Sequence, residues 1–182
     1  GAEFIVPITG LSSYAFIGAT EMKAVQEAAN WVAYHMEWVA DPDPPGDVWT
    51  ASDQQYGEIT WGVAGSGTGD CEDFAILLCA LLRFHTQGGI PAKRVWVQAG
   101  IIAVPGEGTP PVFGHALVVY KTEKHGIFYI EPQWGGYPYR GSFPSILHWY
   151  TVPPAYFAGE SAMLQFNDAW VKGGGFWLAG PP

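Results

Sequence analysis

Gly69-Asp70-Cys71-Glu72-Asp73-Phe74-Ala75-Ile76-Leu77-Leu78-Cys79-Ala80-Leu81-Leu82 sets a cysteine among acids at the head of an unbroken apolar run. The run from Phe74 to Leu82 is too short to cross a membrane, which takes ~20 apolar residues. It suits a buried helix instead. The first turn of a helix presents unpaired N–H groups and the positive end of the dipole. A cysteine placed there has its thiolate, the reactive form, stabilised. Cys71 therefore reads as a candidate nucleophile at the N-terminus of a buried helix, running from about Cys71 to Thr86 and closed by Gly88-Gly89 and Pro91.

A nucleophile needs a base and a group to orient that base. Downstream the hydrophobic period changes from helical to strand-like. Arg94–Val104 and Val112–Lys121 read as strands and Ile127–Glu131 as a third, with weaker candidates at Ile146–Thr151 and Met163–Val171. His115 shares a strand face with Leu117 and Val119, and Glu131 shares one with Tyr129 and Ile127. A five-residue turn centred on Glu123 would pair Tyr120 with Gly126 and set His115 directly opposite Glu131. Leu117–Tyr129 and Val119–Ile127 would then lie beneath them. Cys71, His115 and Glu131 would supply thiolate, proton acceptor and imidazole holder, a set suited to acyl transfer through a thioester. The Cys71 N–H is the natural first oxyanion donor, with Gln55, Tyr56 and Trp61 as candidates for the second.

Upstream, Thr20 caps and Glu21 opens an amphipathic helix to about Val39, with Met22, Val25, Ala29, Val32, Met36 and Val39 as its stripe. Asp41-Pro42-Asp43-Pro44-Pro45-Gly46 ends it, and residues 47–69 read as loop. Gly65-Ser66-Gly67-Thr68-Gly69 lacks the Gly-Lys-Ser/Thr ending of a phosphate loop and reads as a flexible approach to the cysteine helix. The order is helices first, then an antiparallel sheet: an α+β class. One domain over 1–182 is expected, its core about 20–170 and a loosely held tail at 173–182; no internal repeat is visible.

The chain has 182 residues, 48% hydrophobic and 14% charged, a folded composition with a formal charge of −9. That charge argues against nucleic-acid and anionic-membrane partners. No membrane insertion is expected, so the reading is of a soluble protein that meets a protein or peptide substrate. The two cysteines, Cys71 and Cys79, would sit roughly 12 Å apart along one helix, too far for a disulfide. Gly1 in place of Met reads as a processed or trimmed start. Cys79 reads as a core residue, and His35, His85, His125 and His148 as structural or solvent-facing.

The pattern Gly-Asp-Cys-Glu-Asp-Phe-Ala, then Gly114-His115-Ala116, then Tyr129-Ile130-Glu131-Pro132, resembles the transglutaminase-like cysteine peptidase superfamily over roughly residues 20–135. The resemblance implies a papain/transglutaminase-like α+β fold, N-terminal helices packed on an antiparallel sheet, with Cys71, His115 and Glu131 in the triad positions. Glu131 departs from the Asp usual before that proline and is one methylene longer. The run, with Val48-Trp49 and Tyr56 before it, is similar to bacterial transglutaminase-like cysteine proteinases, whose calcium-dependent members cleave surface adhesins. The likeness implies Asp70, Glu72 and Asp73 as the positions that would hold calcium, an ion that suits oxygen ligands; no cofactor is otherwise required. The expected activity is a thiol hydrolase of peptide, isopeptide or amide bonds. A transglutaminase-type acyltransferase, or a non-catalytic binding module on the same fold, are the alternatives.

Overall fold

Thr20 opens the first helix of the computed structural model, which describes residues 2–41, 48–103, 112–133, 148–150 and 164–173. Its hydroxyl accepts from the Lys23 N–H at 3.2 Å, so α1 (Glu21–His35) begins with one of its orphan donors satisfied. Small residues line its inner side: Ala24, Val25, Ala28, Ala29, Val32 and Ala33 are all buried. They let α1 lie closely against the cysteine helix, α3 (Cys71–Phe84).

The first helix stops at His35, short of the expected Val39. Met36 turns extended, and Met36–Trp38 becomes a strand, β1. Its partner is Gly67–Gly69, β2, paired in parallel with Met36 facing Gly67 and Trp38 facing Gly69. The glycine run is thus a strand and not a flexible approach. Close contact explains its composition: a Cβ on Gly67 would meet Ile59 Cγ1 at 2.8 Å, and one on Gly69 would meet the Asp73 carboxylate at 2.5 Å. The segment read as loop also holds a short helix, α2 (Ser52–Glu58). Ser52 Oγ both accepts from Val6 N–H and donates to Val6 O, stitching the N-terminal segment to α2. Ile5 and Ile8 from that segment join the core.

The cysteine helix is apolar on every side because it is covered on every side. Phe74 through Leu82 have no solvent exposure. The sheet covering it has six strands: β3 (Val95–Ala103), β4 (Val112–Lys121), β5 (Ile127–Glu131), β6 (His148–Tyr150), β7 (Leu164–Phe166) and β8 (Val171–Gly173). Their order across the sheet is β6-β5-β4-β3-β7-β8, antiparallel throughout. Val95, Val97, Ala99, Ala116, Val118, Tyr120, Ile130, Leu164 and Phe166 turn toward α3 and form one cluster with it. Among the described residues no helix is long and apolar enough to cross a membrane, and Cys71 and Cys79 are free thiols.

The weak strand expected at Met163–Val171 resolves into two strands around a turn. Asn167 makes that turn, donating to the carbonyls of Ala92 and Val95 and accepting from Ala169 and Trp170. Arg83, near the end of α3, pairs with Asp168 through two bonds of 2.5 and 2.8 Å. Arg94, just before β3, binds Glu21, which also accepts from the Tyr120 hydroxyl. The expected tail lies outside the described residues from 174 onward.

Gly69→Ala is expected to destabilise the fold by about 1–3 kcal/mol, because the new methyl overpacks against Asp73. Gly57→Ala, inside α2 with nothing within 4 Å of its added carbon, should be neutral or stabilising by up to about 1 kcal/mol. Urea denaturation of both variants checks the contrast.

Candidate functional site

Cys71 is the first residue of α3, and Asp70 is its N-cap. The cap carries no side-chain bond to the helix backbone, so the first-turn N–H groups are not closed off by it. The thiol lies against the middle of β4: the Ala116 backbone N–H reaches the sulfur. Ala116 directly follows His115 on β4.

His115 and Glu131 are joined, with Nε2 to Oε2 at 2.7 Å. Their register differs from the expected one. Val118 faces Ile130, Val119 faces Tyr129 and Lys121 faces Ile127, two residues out from the pairing that would set His115 opposite Glu131. The turn is Thr122–Gly126: Thr122 N–H and Oγ1 both bond the Gly126 carbonyl, and Gly126 has φ of +83°. Thr122 closes the loop one residue later than a turn centred on Glu123 would. A slip of two keeps every side chain on its face. The pair therefore meets diagonally across the strands, a reach that the extra methylene of glutamate helps to span.

Continuing the same register puts Gln133 across from His115. Its amide Nε2 lies 3.0 Å from Glu131 Oε1 and 3.5 Å from His115 Nδ1. The sequence reading missed Gln133, although its period-two spacing from Glu131 past Pro132 carried the signal.

The electrostatics run against a ready-made thiolate. Burial pushes the Cys71 thiol well above its ordinary range, and the charges of Glu72 and Asp70 push it further. The Ala116 N–H pulls the other way and is outweighed. The thiol donates to Glu72 Oε2 at 3.3 Å. Desolvation and the two adjacent carboxylates thus oppose the half-charge at the helix end. Burial alone would lower the His115 pKa, but Glu131, through charge and hydrogen bond, and Asp70 together raise it above the usual histidine value. Cys79, fully buried, is driven up as a thiol still more simply, by desolvation.

The remaining candidates are spread out. Gln55 is buried and its amide donates to the Thr68 carbonyl at 2.7 Å, bracing β2. Tyr56 stacks on Trp31, and Trp61 tilts onto the same ring at 5.0 Å between centroids. His35 completes this aromatic group, stacked on Trp31 at 4.4 Å. His85 is structural, accepting from Ile8 N–H and facing the Ser12 carbonyl. His125 is exposed, and the His148 side chain lies outside the described set.

Asp70, Cys71 and Glu72 bring one ligand atom each within 4.8 Å of one another. Asp73 is turned elsewhere, accepting from the Thr50 N–H at 2.9 Å. Calcium takes six to eight oxygens, whereas this group offers two carboxylates and a soft sulfur.

With the geometry in place, the comparison with known families is decisive for class. The family model of the transglutaminase-like superfamily matches residues 17–125, and the chain belongs to that superfamily. The matched span holds Cys71 and His115 and ends before Glu131. No curated protein and no solved structure matches the chain.

Asp73 gives a pH signature. Burial, with Asp70 adding to it, lifts its carboxyl from 3.8 to about 7 despite the Thr50 hydrogen bonds. A carboxyl whose folded pKa is raised costs stability as pH climbs from its unfolded value to its folded one. The melting midpoint should therefore fall between about pH 4 and 7 from this group, with a cost of a few kcal/mol at most. Asp73→Asn keeps the acceptor for Thr50 and should flatten that fall, measured by thermal unfolding across the range.

Proposed function

We propose that this protein is a thiol hydrolase that cleaves peptide, isopeptide or other amide bonds through a Cys71 thioester, with His115 as base and Glu131 as its orienting carboxylate. The observation that carries the reading is the Ala116 N–H against the Cys71 sulfur beside the 2.7 Å His115–Glu131 pair. With Nε2 committed to Glu131, Nδ1 of the neutral ring is left as the proton acceptor.

In this reading the thiol, driven up by burial, is neutral at rest, and the imidazole is neutral once pH passes the raised His115 midpoint. Nδ1 takes the Sγ proton as the sulfur forms its bond to the substrate carbonyl carbon. The proton passes to the leaving amine as the C–N bond breaks, giving the thioester. Water, deprotonated by the same nitrogen, then releases the acid. The Cys71 backbone N–H is the first donor to the oxyanion. The thiol must leave Glu72 to react, so substrate arrival and thiol release are coupled. The reading requires no metal.

Iodoacetamide is expected to label Cys71 and spare Cys79, at a rate that rises with pH through the His115 titration, above the ordinary histidine value. In His115→Ala that pH step and the selectivity should vanish, with turnover down by roughly 10²-fold or more. Equal, slow labelling of both thiols would remove Cys71 as nucleophile. Glu131→Gln removes the charge that raises His115, so the acid limb should move to lower pH while kcat falls about tenfold or more.

Hydrolysis is separated from acyl transfer by a glutamine-peptide assay with and without a primary amine. Product that stays free acid as amine is added supports the hydrolase. Capture of the amine in place of water would make the protein an acyltransferase with the same residues.

A further inference from the structure

Gln133 reaches both members of the histidine–carboxylate pair with one group. Its residue is 7% exposed, and its amide nitrogen sits between Glu131 Oε1 at 3.0 Å and His115 Nδ1 at 3.5 Å. The orientation of that amide follows from its neighbours: turned over, its oxygen would face a carboxylate oxygen with no proton between them. The nitrogen side, with two hydrogens, satisfies an acceptor in each direction.

We propose that Gln133 is a positioning residue that clamps Glu131 and His115 together and keeps Nδ1 as an acceptor lone pair. This rests on the assignment of His115 as base. Glu131 uses Oε2 for the imidazole and Oε1 for Gln133, at the end of an arm one methylene longer than that of aspartate. The Gln133 donor fixes that oxygen and so fixes the plane of the carboxylate. At Nδ1 the second hydrogen favours the unprotonated nitrogen, the form a base must have. The bond there is long and easily displaced when a proton arrives from sulfur. Gln133 acts through its two neighbours and touches no reacting atom of the substrate.

Among the described residues, the charges acting on His115 are Glu131 on β5 and Asp70 at the head of α3, and Gln133 moderates the first. Without it, the Glu131 carboxylate loses a donor and holds an imidazolium more strongly, and Nδ1 loses a competitor for its proton. Both changes have the same sign. In Gln133→Met, which keeps the length and removes the donor, the His115 midpoint followed by NMR should rise by about one pH unit. The acid limb of kcat should move up with it, kcat should fall about tenfold, and KM should hold.

In the unaltered chain the Gln133 side-chain amide protons should shift with the same midpoint as His115. An unmoved His115 midpoint in folded Gln133→Met overturns the proposal, and so does a flat amide signal in the unaltered chain. The second measurement decides the matter if the variant does not fold. Neither readout depends on turnover. An inert Cys71 beside a shifted midpoint would defeat the hydrolase reading and leave the clamp; a reactive Cys71 beside an unmoved midpoint would do the reverse.

Discussion

Everything in this molecule is arranged around the complete enclosure of one helix. Phe74 to Leu82 lose all contact with water, each large side chain contributing about 1.5–3 kcal/mol in the process. That enclosure needs α1 on one flank and the β3–β4 face on another. It also fixes where the head of the helix must emerge. Cys71 sits at the margin of the core, half-covered, beside the Ala116 backbone of β4. The position of the candidate site is thus a by-product of packing, set by residues that take no part in any chemistry.

The same enclosure sets the electrical character of the site. A helix start favours anions, yet here four anionic or potentially anionic groups, Asp70 to Asp73, follow one another at a buried margin. Desolvation makes each of them costly in charged form. The outcome is a neutral thiol tied to Glu72 and an imidazole held by Glu131, with Asp73 turned inward to anchor Thr50. The acids beside the cysteine therefore divide into different duties: Glu72 holds the thiol, and Asp73 holds the preceding segment against the helix.

Much of this was legible in the chain. The apolar run announced a buried helix, the alternation in Val112–Lys121 and Ile127–Glu131 gave both strands their ends, and the cysteine and histidine motifs carried the superfamily. What escaped was whatever depends on partners distant in sequence. Met36–Trp38 continues a helical stripe by pattern and becomes a strand only because Gly67–Gly69 lies beside it. Ser-Asp-Gln-Gln-Tyr-Gly-Glu at 52–58 has no apolar periodicity to mark its helix. The hairpin register hung on which residue closes the turn, and the threonine hydroxyl settled it one residue later than the strand ends implied. The thiol's protonation was hidden because burial, its largest determinant, is not written in local sequence. Gln133 lies one residue beyond the Tyr129–Pro132 motif, so no motif marks it.

The strand order has a consequence for how the chain comes to be folded. β7 lies beside β3 on the flank away from β4, and Asp168 reaches back 85 residues to grip Arg83. Until that late segment arrives, β3 has an open edge and a half-buried guanidinium lacks its counter-charge. The stretch that defines the superfamily, residues 17–125, therefore carries the motif without carrying the means to close its own sheet. Contacts remote along the chain complete the sheet, and such topologies pay a loop-closure entropy before they gain any burial. The sheet behind the thiol is whole only when nearly all of the described chain is in place.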